Sequence, residues 1–100
     1  MAPPLSDAEI EERLASAGEW HRAGAQVGGP PAIERDLKFE NFAAAIDFVN
    51  RVAALAEEAN HHPDIFVHGW NKVRLTLSTH SQAGLTDADF RLAAQIEGLL

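Results

Sequence analysis

Three histidines, His61, His62 and His80, and two carboxylates, Glu57 and Asp89, are the residues of this 100-residue chain best suited to chemistry. An ordinary histidine titrates near pH 6.5, so one imidazole can give a proton and another can take one at neutral pH. The set suits general acid–base work. Glu57 precedes His61 by four residues, and on a continuing helix the two share a face, where the carboxylate can orient the imidazole. Asp89 can do the same from the start of another helix. Each has a plainer use as well: Asp89 can cap its helix, Glu57 can stay solvated, and His61 can sit against helix-end carbonyls.

The chain contains no cysteine, which removes disulfides, thiolate nucleophiles and thiolate metal sites together. A metal centre needs three or four converging ligands; adjacent histidines rarely chelate one ion, and no H-E-x-x-H spacing occurs. No metal is expected. A Gly-rich phosphate loop and a nucleophile elbow are also missing, so nucleotide chemistry and serine acyl transfer have no basis. His21 and His68 receive no role.

The elements that must position these residues can be read from spacing. Ser6-Asp7-Ala8-Glu9 has the form of a capping box, and Ile10, Leu14 and Ala17 recur at helical spacing up to Gly18. A short strand is expected around Ala25 to Val27, before a turn at Pro30-Pro31. From Ala32 to Phe39 the residues alternate, with Ile33, Leu37 and Phe39 on one face, Glu34, Asp36 and Lys38 on the other, and Arg35 as the misfit. Asn41 can cap a second helix whose apolar stripe runs Phe42, Ile46, Val49, Ala53 and Ala56 with Phe48, Val52 and Leu55 beside it, and which must stop near Asn60 because Pro63 follows. Ile65 to His68 and Val73 to His80 read as a hairpin around Gly69 to Lys72, with His80 on the polar face of its strand. Thr86-Asp87-Ala88-Asp89 resembles another capped start, followed by Phe90, Leu92, Ala93, Ile96 and Leu100. The order implies an α+β domain with three helices on one face of a four-stranded, mainly antiparallel sheet and polar residues on the other.

Composition limits what such a domain can be. With 46% hydrophobic and 23% charged residues, the chain is expected to fold as one domain over residues 1–100, small enough that self-association would add useful burial. The net charge of −7 argues against binding a phosphate backbone, so no nucleic-acid role is expected. No apolar run approaches the roughly 18–20 residues of a membrane span. Met-Ala-Pro-Pro-Leu lacks the basic flank of a signal peptide, and a cytoplasmic location is expected.

Glu57, His61-His62-Pro63-Asp64, Trp70-Asn71-Lys72-Val73, Leu77-Ser78-Thr79-His80, Gly84-Leu85-Thr86 and Asp89, in this order, resemble the pterin-4a-carbinolamine dehydratases. Similarity continues through Leu5 to Trp20, Phe39, Asn41-Phe42 and Ala56, so it covers nearly the whole chain. The resemblance implies a hydro-lyase that removes water from 4a-hydroxytetrahydrobiopterin to give quinonoid dihydrobiopterin. The pterin is then the substrate and no cofactor is implied. His61, His62 and His80 fall on the family's catalytic histidines and Glu57 and Asp89 on its supporting acids; His61, His62, Pro63, Ser78, Thr79 and His80 would line the pterin site. Of the histidines, His61 and His80 are expected to exchange protons while His62 orients the ring. The chain departs from the family at Gly69, an apparent extra residue in the hairpin turn, and at Trp70, where tyrosine is frequent.

The resemblance also implies a dimer or tetramer and a functional link to an aromatic amino-acid hydroxylase. The alternative is a pterin-binding or protein-interaction module, since some relatives serve as transcription cofactors, but such modules need not keep all five site residues.

Overall fold

In the computed structural model, which describes residues 3–23 and 31–100, the Ser6 hydroxyl accepts the Glu9 N–H at 3.2 Å. The Glu9 carboxylate accepts the Ser6 N–H at 2.9 Å, and that bond first, with the Ser6 hydroxyl beside the carboxylate second, holds the carboxyl below its ordinary range. This reciprocal cap starts α1 (Asp7–Leu14) and satisfies N–H groups that the first turn leaves free. The helix is shorter than its periodicity suggests. Turns carry the chain from Ala15 to Gly18, whose φ of +65° favours glycine.

Strand β1 (His21–Arg22) follows, and the strand expected around Ala25 to Val27 lies outside the described residues. Strand β2 (Ile33–Lys38) leads to α2 (Phe42–Ala59), which starts where the Asn41 side chain accepts the Ala44 N–H at 2.8 Å. Strands β3 (Asp64–His68) and β4 (Lys72–Leu77) form the hairpin, and α3 (Asp87–Glu97) closes the order. The apparent extra residue in the turn is absorbed. Gly69 (φ +55°) and Trp70 (φ +60°) both take the left-handed conformation, and the Asn71 amide ties the turn to the Phe39 carbonyl at 2.9 Å.

Among the described residues the sheet has the order β1-β2-β4-β3, with every pairing antiparallel. The register places Ile33 opposite Leu77, Arg35 opposite Leu75 and Leu37 opposite Val73, so these residues share one face. Ile10 of α1, Phe48 and Val52 of α2, and Leu92 and Ile96 of α3 pack into the same cluster as Ile33, Val73, Leu75 and Leu77. The helices thus cover one face, as the element order requires.

Arg35, the misfit of the alternating pattern, lies on this covered face and is only 9% exposed. Its Nε donates to Glu97 Oε1 at 2.7 Å and its Nη1 to the Asp36 carbonyl at 3.0 Å. A buried guanidinium persists because those acceptors replace lost water. On the open face, Arg74 donates to Asp36 at 2.8 Å and lies 3.6 Å from Glu34. The Asp36 carboxyl is lowered from its ordinary range chiefly by that Arg74 bond, and Arg74 is raised in return.

Candidate active site

The site is built where α2 ends. Asn60 adopts a left-handed conformation (φ +50°), its N–H reaches the Glu57 carbonyl at 3.2 Å, and the His61 N–H reaches the Ala56 carbonyl at 3.1 Å. These two bonds are the Schellman pattern, which satisfies terminal carbonyls while turning the chain away from the helix axis. His61 therefore leaves the helical path before it can stand over Glu57. The expected Glu57–His61 pairing does not form; Glu57 Oε2 instead lies 3.0 Å from His62 Nε2, in a pair exposed to solvent.

His61 turns inward and finds the other carboxylate. Its Nε2 lies 2.6 Å from Asp89 Oδ1, the His61 side chain being 16% exposed and the Asp89 side chain fully buried. Asp89 Oδ2 accepts from the Thr79 hydroxyl at 2.7 Å and from the Thr86 N–H at 3.0 Å. The proton count then closes. With its hydrogen given to Asp89, the Thr79 oxygen accepts from the Thr86 hydroxyl at 2.9 Å, and Thr86 Oγ1 accepts the Ala88 N–H at 3.3 Å. A carboxylate with three donors around it is satisfied as an anion, which offsets the cost of burying it.

Asp89 thus serves both uses open to it in the sequence: it completes the capping box of α3 and orients a histidine. Because an ionised carboxylate can only accept, the pattern assigns the His61 proton to Nε2 and leaves the Nδ1 lone pair of the neutral ring as the basic nitrogen. A histidine held in one tautomer by a buried aspartate is prepared to take and return a proton.

Strand β4 ends at Leu77, short of the expected His80, because β2 offers no partner beyond Ile33 and β3 none before Asp64. Ser78 and Thr79 leave the ladder, Thr79 bridges to Gly84, and His80 opens a short 3₁₀ turn (His80–Gln82). His80 is therefore not on the open face of the sheet. It is exposed, and among the described residues its side chain has no hydrogen-bond or ionic partner. Thr79, its neighbour in sequence, is anchored to the carboxylate that holds His61, so the His61-His62-Pro63 and Ser78-Thr79-His80 segments meet through Asp89.

Thr79, expected to line the pterin site, donates its hydroxyl proton to Asp89, and Thr86 joins it as a positioning residue that the sequence reading did not single out. The Thr86-x-x-Asp89 cap was the available signal. A groove of about 250 Å³ between α2 and α3 is lined by His61 with Leu55, Glu58, Ala88, Arg91 and Gln95, and reaches the cluster from one side. Among the described residues no helix is long and apolar enough to cross a membrane.

The family described as pterin 4 alpha carbinolamine dehydratase matches residues 3–99. A protein of Roseiflexus castenholzii named "Putative pterin-4-alpha-carbinolamine dehydratase" is 49% identical over 100 residues, covering 100% of both chains. A protein of the same name from Acidobacterium capsulatum is 50% identical, covering 96% of this chain and 97% of its own. Among solved structures, a transcriptional coactivator/pterin dehydratase from Brucella melitensis superposes with a TM-score of 0.83 at 34% identity, over 96% of this chain and 97% of that one. A pterin dehydratase-like protein described as a RuBisCO assembly factor of the alpha-carboxysome gives 0.64 at 28% identity, over 80% of this chain and 87% of the other.

Proposed function

The chain belongs to the pterin 4 alpha carbinolamine dehydratase family, and from that premise we propose that it dehydrates 4a-hydroxytetrahydrobiopterin to quinonoid dihydrobiopterin. The observation that carries the proposal is the buried Asp89 carboxylate fixing His61 in one tautomer, with His62 and the Thr79-His80 segment beside it.

The reaction removes the C4a hydroxyl with one proton and the N5 hydrogen as another, leaving a C4a–N5 double bond and water. One base and one acid suffice, and the step transfers no electrons, so the pterin is substrate and no cofactor takes part. In our reading His61 Nδ1 takes the N5 proton while Nε2–H stays on Asp89, whose negative charge stabilises the imidazolium formed. Exposed His80 protonates the departing hydroxyl and recovers its proton from solvent, and His62, held to Glu57, orients the ring. Proton transfer of this kind is worth about 10²–10⁴-fold. We further propose that the protein works in the cytoplasm as a homodimer or homotetramer, downstream of an aromatic amino-acid hydroxylase.

The test is the rate at which freshly generated 4a-hydroxytetrahydrobiopterin dehydrates, followed by ultraviolet absorbance. Acceleration by the wild type that His61→Ala largely abolishes supports the reading; His62→Ala should raise KM more than it lowers kcat. Equal loss of kcat in both variants with KM unchanged would remove the division of roles. No acceleration over buffer would favour the second reading, a protein-interaction module, which similarity to a transcriptional coactivator and to a RuBisCO assembly factor suggests.

A further inference from the structure

Lys38 and Lys72 are the only lysines in a chain of net charge −7, and the sheet places them directly opposite one another across β2 and β4. His68 faces Lys72 from the other side, across β3 and β4, so three basic residues cross the end of the open face in one row. Like charges in direct opposition destabilise a sheet. Neither lysine lies within ion-pair distance of a carboxylate among the described residues, and the remaining residues of the chain include no acid.

The two acids of β2 on the same face are already engaged. Asp36 accepts from Arg74 at 2.8 Å, and Glu34 lies 3.6 Å from Arg74 and 3.4 Å from His21. A shallow depression of about 310 Å³ is lined by Asp36, Leu37, Lys38, His68, Lys72 and Arg74. Beside it the Phe66 ring, 58% exposed, stacks on His68 at 4.8 Å and an interplanar angle of 13°. The Lys72 stem passes close to Gly69, where an added Cβ would stand 3.6 Å from its Cδ. The same hypothetical Cβ would stand 3.8 Å from the Lys72 Nζ, so the ammonium group lies beside the turn.

We propose that Lys38, Lys72 and His68 form a binding site for a small aromatic anion, its phosphate or carboxylate between the two ammonium groups and its ring against the exposed face of Phe66. The anion supplies the charge that Asp36, bound to Arg74, does not give the two lysines, and the phenyl face offers apolar area already held flat by His68. The site does not use the Asp89–His61 cluster and stands independently of the dehydratase reading.

The test is amide chemical-shift mapping of the full chain with two probes, phenyl phosphate and inorganic phosphate. Phenyl phosphate should move the amides of Lys38, Phe66, His68 and Lys72 and bind roughly tenfold more tightly than inorganic phosphate, the gain expected from covering one aromatic face. The Lys38→Gln/Lys72→Gln double variant should lose at least about tenfold of that affinity. It should melt no lower than the wild type, since the like-charge opposition is gone, and keep its dehydration rate, and Lys72→Gln alone should bind with an affinity between it and the wild type. Shifts centred elsewhere, or unchanged binding in the double variant, would overturn the site; equal affinities for the two probes would overturn its aromatic part. Movement of the same amides on dilution without any probe would assign the row to contact between copies of the chain and refute the proposal.

Discussion

Replacing Asp89 by asparagine keeps the shape of the site and removes only its capacity to accept from both sides. In the wild type the carboxylate takes three donors: His61 Nε2–H at 2.6 Å, the Thr79 hydroxyl at 2.7 Å and the Thr86 N–H at 3.0 Å. The asparagine amide must turn its NH₂ toward one of these. The Thr86 N–H is fixed in the backbone and fully buried, so facing NH₂ toward it would strand two donors at about 1–3 kcal/mol each. The amide oxygen should therefore stay with Thr79 and Thr86, and the NH₂ should meet His61. His61 must then present a lone pair at Nε2, which moves its proton to Nδ1 and removes the basic nitrogen. Stability should fall by about 1–3 kcal/mol, the scale of a hydrogen bond to a charged group, while kcat should fall by about 10²–10³-fold through loss of the base. For a domain of this length that stability loss is a drop of roughly 4–20 °C in Tm. Asp89→Ala, which strands all three donors, should cost more, about 3–5 kcal/mol. The assay pairs the dehydration rate, at a temperature where the variant is folded, with nitrogen chemical shifts of the His61 ring. A folded Asp89→Asn protein with kcat within twofold of wild type, or one whose ring still carries its proton on Nε2, would refute the reasoning.

Three further outcomes are expected. Glu57→Gln should change kcat by no more than about threefold, because its pair with His62 is solvent-exposed and such pairs contribute little; a loss comparable to that of Asp89→Asn would return Glu57 to the catalytic centre. Arg35→Ala should destabilise the protein by about 2–4 kcal/mol in urea titrations, leaving the Glu97 carboxylate without its partner, whereas Arg35→Met should recover most of that loss by filling the space beneath the sheet. Asp36, lowered by Arg74, gives stability that is present above its unfolded value of 3.8 and lost as pH falls through the lower folded value. Wild type should therefore exceed Asp36→Asn modestly near neutrality, by less than about 1 kcal/mol for so exposed a pair, and the gap should close in strong acid; urea titrations at both pH values would show it.

The sequence by itself determined the elements and the residue types of the site. Two capping boxes, an asparagine cap, the period of α2 and the proline after it are local signals, because each states how a few neighbouring residues satisfy their own N–H and C=O groups. Alternation in β2 likewise named the face that carries Glu34, Asp36 and Lys38. Which carboxylate serves which histidine was not local. His61 and Asp89 stand 28 residues apart, and they meet only because Asn60 turns left-handed and directs His61 off the helix, while Glu57 is left to His62. The polar alternation of Arg74, Thr76, Ser78 and His80 suggested a strand through His80, but a strand lasts only as long as its neighbours supply partners, and these end at Leu77. Arg35 reads as a misfit in its own segment and becomes a satisfied buried cation only when Glu97, 62 residues later, is folded against it. Local hydrogen-bond supply fixes where elements start and stop; the pairing of buried charges depends on which distant segments the core brings together.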